Sequence, residues 1–387
     1  MQPIPISVFE ERLPEQIALL RQWVEQESPT TDKNAVDAMG SMLTEQMRSL
    51  GATVQRHPQT TVGDHLSGQW GSGGGGILLL AHMDTVHPLG ALQDMPWREE
   101  GGKFFGPGVL DMKSGILIAL SAIQILRERQ LMPSARITLV VTSDEETGSE
   151  TSRSLIERTA RDHDLVFVLE PSLPDGSIKT WRKGVGMFEL EVIGRAAHAG
   201  VDPASGINAI VEMAMQVPEI LALQDLDAGT TLNVGVIQGG TRSNVVPDRC
   251  KARVDVRVMH AEETERIERA LQSLTPKLEG AKICVAGNFE RPPMPRTEQR
   301  AADFERAKRI AELLGIQLTE SGTGGGSDAN FVAPFEISVL DGLGAVGDGA
   351  HSNREYIQKA SLAPRTALLA ALLTHWHQID QATVQDH

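Results

Sequence analysis

ILLLAHMD, residues 77–84, runs apolar for five residues and then stops on a histidine and, two residues later, an aspartate. An unbroken apolar run of this length suits a strand covered on both faces, as in a parallel sheet. The same design recurs in ITLVVTSDEE at 137–146 and in LVFVLE at 165–170, each an apolar run that ends in carboxylates. Between the first two, Ser114 to Arg129 carries apolar residues at helical spacing, so the order reads strand, helix, strand, helix, strand. In an open parallel sheet the ligand crevice lies beyond the carboxyl ends of the strands, where side chains following Leu80, Ser143 and Leu169 converge although distant in sequence. Potential metal ligands stand at five such places: His82, Asp111 in GPGVLDMKSG, Glu145 or Glu146, Glu170, and far downstream His351 in DGAHSN. That arrangement reads as a two-metal hydrolase site.

Outward from this sheet, residues 13–27 and 35–50 carry helix-like spacing, the second stretch ending at Gly51. GSGGGG at 71–76 reads as a hairpin connection, and without a following Gly-Lys-Ser/Thr it is no nucleotide P-loop. Near Gly184 the texture changes. MFELEVIGRAAHAG, a helix over 206–222, TTLNVGVIQGG, CKARVDVRVMH, a helix over 261–274 and KICVAG give the order β, α, β, β, α, β of a ferredoxin-like domain. Ala252, Val254, Val256 and Val258 alternate there with Arg253, Asp255 and Arg257, as an antiparallel sheet with one open face requires. From about Arg291 the α/β texture returns with a helix over 301–314, the glycine-rich GTGGGSDANF, ISVL and a helix over 358–377. The expected fold is α/β, with residues 1–183 and 291–387 forming a discontinuous catalytic domain and 184–290 inserted as a small α+β domain.

Composition narrows the partners. In a chain of 387 residues, 36 Lys and Arg stand against 51 Asp and Glu, and the formal charge of −15 argues against nucleic acid or an anionic membrane as a main partner. An acidic substrate therefore needs a local cationic pocket. Cys250 and Cys284 make no disulfide framework and are expected to be buried or half-buried thiols. The opening MQPIPISVFEERLPEQ has no basic segment followed by an apolar one, and no apolar run of membrane-spanning length stands out, so a cytoplasmic protein is expected.

The ligand types specify the chemistry further. His82 and Asp84 point the same way if the strand persists, and a ligating histidine usually donates its second ring N–H to a carboxylate such as Asp84. Three carboxylates and two neutral imidazoles around two divalent ions leave a single positive charge to attract hydroxide or a carbonyl oxygen. If Asp111 bridges, each ion receives three protein ligands and keeps an open position, as catalytic sites do. Nitrogen and oxygen donors without thiolate suit zinc, with cobalt or manganese as substitutes. The acidic residue of the Glu145–Glu146 pair that is not a ligand is then available as general base. His375 and His377, two apart on a helix, do not face each other, and His57, His65, His87, His163, His260 and His387 read as surface or loop residues.

HMDTV, GPGVLDMKSG, TSDEETGS, LEP, GRAAHAG, SNVVPD, GTGGGSDA and HSNREYI, in this order from 82 to 357, resemble the dinuclear zinc family of aminoacylases, desuccinylases and glutamate carboxypeptidases. The chain is most similar to the bacterial folate-hydrolysing glutamate carboxypeptidase branch. The resemblance implies a mixed sheet with helices on both faces and an inserted lid through which the protein forms a homodimer. It implies His82, Asp111 and Glu170 around one zinc, Asp111, Glu146 and His351 around the other, Glu145 as base, Asp84 behind His82, and a cis peptide before Met112. Arg257 and Asn244 would hold the substrate's free carboxylate, and backbone amides of Gly325 and Gly326 would approach it closely. His198 would reach across the dimer to stabilise the oxyanion. The implied activity is release of a C-terminal amino acid, glutamate or similar, from a small peptide. The alternatives are an N-acyl amino acid deacylase and a catalytically silent metal-binding dimeric scaffold.

Overall fold

The computed structural model describes residues 2–335 and 337–378. It divides into two compact units, one of Met1–Thr180, Arg296–Gly322 and Ser327–His387, the other of Trp181–Pro295 with Thr323–Gly326. His387 lies outside the described residues.

The first unit is built on an eight-stranded mixed sheet with Ile77–His82 near its middle, parallel to Ile137–Thr142 on one side and to Leu165–Val168 on the other. Ser338–Asp341 continues the parallel set, whereas Thr53–His57 and His65–Trp70 run antiparallel at one edge. Ile77, Leu79 and Ala81 join one large core with Leu117, Leu120 and Leu369, while Leu78 and Leu80 are equally buried outside that cluster. Alternate side chains thus enter two different layers, and an all-apolar strand is the sequence that satisfies both.

The glycine-rich loop at 71–76 is not a hairpin. Trp70 and Ile77 both register with Ile137, so Ile137–Thr142 is inserted between the strands that the loop joins. A run of glycines marks a loop, but burial elsewhere in the chain decides which strands pair. Val109–Glu128 qualifies by length and composition as a membrane-crossing span even though Asp111 and Lys113 interrupt it. With 89% of its apolar window buried in the structure, it is a core segment, the irregular turn Val109–Lys113 leading into the core helix Ser114–Glu128. The helix Lys33–Ser49 is capped by Asp32, whose carboxylate accepts the Ala35 amide at 2.9 Å, an interaction worth about 1 kcal/mol. The last helix is shorter than the sequence pattern suggests, Leu362–His375, because Tyr356–Gln358 is a strand. That strand pairs antiparallel with Gly347–Asp348, which makes residues 349–355 the loop of a hairpin.

The second unit carries a four-stranded antiparallel sheet in the order Thr231–Gly239, Arg249–Val258, Gly184–Ile193, Lys282–Arg291. With the helices Ala209–Leu221 and Ala261–Gln272, this is the ferredoxin-like arrangement. Phe188, Leu190, Val254 and Val256 pack against Met213, Ile267 and Leu271 on one face. The other face is charged, with Lys251 on Glu189 and Arg249 on Glu191. Cys250 is buried, but Cys284 is exposed, since it points to the open side of an edge strand.

Candidate metal centre

His82 ends its strand, Glu145 and Glu146 lie in the short 3-10 turn 145–147 that follows Ile137–Thr142, and Glu170 follows Leu165–Val168. These three strands are parallel, so their carboxyl ends share one edge of the sheet. Asp111 stands in the turn before the core helix, and the Asp111–Met112 peptide is cis, as the resemblance implies. His351 comes from the hairpin loop in a left-handed conformation, φ 60°, that costs a non-glycine residue about 1 kcal/mol or more.

The five side chains converge. His82 Nε2 lies 3.1 Å from Asp111 Oδ1 and 3.5 Å from Glu170 Oε1. On the other side of the same aspartate, His351 Nε2 lies 3.4 Å from Asp111 Oδ2 and 3.1 Å from Glu146 Oε2. Donor atoms of His82, Asp111 and Glu146 all fall within 4.8 Å of one another. Glu146 Oε1 is buried with no hydrogen-bond partner, an arrangement that is expensive unless something else meets it.

Asp84 has a wider part than the sequence suggests. His82 Nδ1 is 3.0 Å from the Asp84 backbone carbonyl and 3.5 Å from its carboxylate. The carboxylate, fully buried, accepts the Thr30 hydroxyl at 2.7 Å and the amides of Glu145 and Glu146 at 3.3 and 3.2 Å. It therefore ties the histidine strand to the turn that carries both glutamates. Burial opposes charge on His82 and Asp111, but their mutual contacts prevail. His82 is raised well above the usual imidazole range by Asp111, Asp84 and Glu170, and Asp111 is held far below the carboxylate range by His351 and His82. His351 is pushed up to about 11 by Asp111 and Glu146, whereas burial and then Asp111 raise Glu146.

The residues assigned to substrate lie in the second unit. His198 is exposed on the two-residue strand Ala197–His198, paired with Val245–Val246, and the Asn244 carbonyl accepts the Ala199 amide at 3.0 Å, so His198 and Asn244 share one small ribbon. Arg257 is already engaged, bidentate with Asp255 at 2.9 and 2.8 Å and 3.4 Å from the Gly324 carbonyl. Arg182 donates to the carbonyls of Gly325 and Gly326 at 3.2 and 3.1 Å, and the Gly325 amide meets Thr323 Oγ1. A Cβ at Gly326 would lie 2.8 Å from Arg291 Cδ, whereas one at Gly325 would make only an ordinary contact, 3.7 Å from Thr323 Oγ1.

Three histidines expected at the surface or in loops are buried, His87 and His163 in loops and His65 on a strand. His65 joins Ser143 Oγ and Thr151 Oγ1, His163 joins Thr159 and Thr138, and His87 joins Glu355 at 2.6 Å. His375 is buried as well. His65, His163 and His87 each have a hydroxyl or carboxylate partner from another segment, a form of satisfaction that local polarity does not reveal, whereas Thr374 Oγ1 and the Ala371 carbonyl meet His375 within its own helix.

Residues 78–375 match the model of peptidase family M20/M25/M40. Carboxypeptidase G2 of Pseudomonas sp. (strain RS-16) is 32% identical over 373 residues, 93% of this chain and 88% of that one. Acetylornithine deacetylase of Myxococcus xanthus is 30% identical over 337 residues, 80% of this chain and 83% of its own length. Aminopeptidase PepT from Bacillus cereus ATCC 10987 superposes with a TM-score of 0.74 at 24% identity, covering 95% of this chain and 99% of that one, a likeness of fold. With the family model matched over residues 78–375 and a relative 32% identical over 93% of this chain, the chain belongs to peptidase family M20/M25/M40 and is a metallohydrolase.

Proposed function

We propose that the chain holds two divalent ions, zinc by preference with cobalt or manganese as substitutes, and hydrolyses an amide bond to release a C-terminal amino acid from a small peptide. The observation that carries this reading is the division of Asp111, one oxygen toward His82 and Glu170, the other toward His351 and Glu146. The donor set fits two such ions, and the partnerless Glu146 Oε1 adds a buried acceptor to it. When bound, the ions would polarise the amide carbonyl and make a water acidic enough to ionise near neutral pH. Glu145 would accept the proton that an attacking water sheds as it bonds to the carbonyl carbon, and would return a proton to the nitrogen as the C–N bond breaks.

Arg257 and Asn244 would receive the free carboxylate of the leaving amino acid. Arg257 does so by sharing or exchanging its pair with Asp255, with amides of the Gly325–Gly326 turn beside it. The protein acts as a homodimer through the second unit. Its edge strand Thr231–Gly239 exposes Val236 and Ile237, and the helix Ala209–Leu221 exposes Ile210, Val211 and Met215, an apolar surface with open backbone groups that suits a second copy. Similarity to a carboxypeptidase at 32% identity favours peptides with a free C-terminal carboxylate, with glutamate-type residues the choice that the motif resemblance implies, and similarity to an acetylornithine deacetylase at 30% supports N-acyl amino acids as the second reading.

A panel of dipeptides and N-acyl amino acids, assayed with zinc, cobalt and manganese, tests the choice. Preference for C-terminal glutamyl peptides supports the first reading, and turnover of acyl amino acids alone overturns it. Arg257→Ala should impair free-carboxylate substrates about as much as esterifying that carboxylate impairs the parent, with little further loss when both are combined. Additive losses would place the carboxylate elsewhere.

Ion binding is expected to release more than two protons per chain at neutral pH, because His82 and His351, raised in the ion-free protein, must become neutral to ligate and Glu146, raised to about 7, must give up its partial proton as well. Apparent affinity therefore rises with pH through the neutral range. Calorimetry in buffers of different ionisation enthalpy measures the release, and a heat independent of buffer would contradict it.

A further inference from the structure

Four residues beyond His351 in HSNREYI stands Glu355, whose carboxylate is 1% exposed yet meets four donors. Its Oε1 accepts the amides of Leu110 and Asp111 at 2.7 and 3.0 Å, and its Oε2 accepts the Gly108 amide at 2.9 Å and faces His87 Nε2 at 2.6 Å. The segment 108–111 thus forms an anion cradle filled from within the chain. Gly108 makes the cradle possible, since its φ of 71° is left-handed and a Cβ there would lie 2.5 Å from Thr85 Cγ2. At its other end Glu355 belongs to the loop that carries His351. Its amide donates to the Ser352 carbonyl at 3.3 Å, while the Ser352 amide and hydroxyl return to the Gly349 carbonyl at 3.1 and 2.7 Å.

We propose that Glu355 is a positioning residue that sets the separation and aim of Asp111 and His351, and through them the affinity of both ion sites, with His87 fixing its second oxygen. This rests on the two-ion reading. A carboxylate is required because both oxygens must accept, whereas an amide has one acceptor and would turn its NH2 against two donors. Glu355→Gln therefore loosens the turn that carries Asp111 and the strained loop that carries His351 together, and the two ligands lie 3.4 Å apart across the centre.

The test strips the purified protein of metal and measures zinc and cobalt dissociation constants, the visible spectrum of the cobalt form, and the melting temperature of the ion-free form. Glu355→Gln is expected to raise the dissociation constants by about 10–100-fold and to shift the cobalt bands. Glu355→Asp, which keeps two acceptor oxygens on a shorter stem, should show a smaller change of the same sign. Should Glu355→Gln yield no folded protein, His87→Ala removes a single donor and is expected to raise the constants several-fold. Folded variants with the parent's constants and cobalt spectrum, even if they melt lower, would show a purely structural cradle and overturn the inference alone. A parent that takes up no ions would overturn the two-ion reading along with it.

Discussion

Glu145→Gln is expected to retain its fold and its ions and to lose turnover by about 10³- to 10⁴-fold, because acceptance of the water's proton and its delivery to the leaving amine vanish in one substitution. The change is isosteric and leaves the Glu145 backbone amide on Asp84 undisturbed. Glu146→Gln should behave differently, weakening ion binding, since its Oε2 faces His351 at 3.1 Å and its buried Oε1 has no partner. Single-turnover rates beside elemental analysis of both variants separate the two roles. If Glu145→Gln emptied an ion site while Glu146→Gln kept both ions and lost turnover, the assignments would be exchanged.

Glu145→Gln and His198→Ala subunits, each nearly inactive alone, should recover activity when mixed and re-paired. In a hybrid of the proposed dimer the centre with intact Glu145 would be completed by the partner subunit's His198, whose proposed stabilisation of the oxyanion would be worth about 3 kcal/mol. Random pairing of equal amounts predicts about a quarter of parent activity, since half the dimers are hybrid and each has one whole centre. The exposed position of His198 on its short ribbon is consistent with contact to a second copy. Hybrids confirmed by mass, yet inactive, would show that His198 acts within its own chain or has no part in turnover.

Much of the centre was legible because strand ends advertise themselves. His82 and Glu170 terminate apolar runs whose partners are also apolar runs, so parallel pairing could be read from composition alone and convergence followed from topology. The ferredoxin-like order was legible for a similar reason, its alternation in Arg249–Val258 matching one buried and one charged face. The choice between Glu145 and Glu146 was not, since adjacent residues in a turn diverge by backbone detail that periodicity does not encode. Nor was the pairing around residues 71–76, where Ile137 competes for both flanking strands. The four contacts of Glu355 join it to positions more than 240 residues away, and a glutamate in a polar loop carries no local mark of such burial.

The raised imidazoles at the centre decide what an entering cation meets. Protons on His82 and His351 act as placeholders, lending positive charge to a knot of buried carboxylates before any cation arrives. Their stabilisation is fully present below the ordinary histidine range and fades only as pH climbs through the folded values, toward about 11 for His351, so it persists at neutrality. On the two-ion reading, an entering ion displaces those protons, so uptake exchanges one positive charge for another instead of filling a bare anionic site.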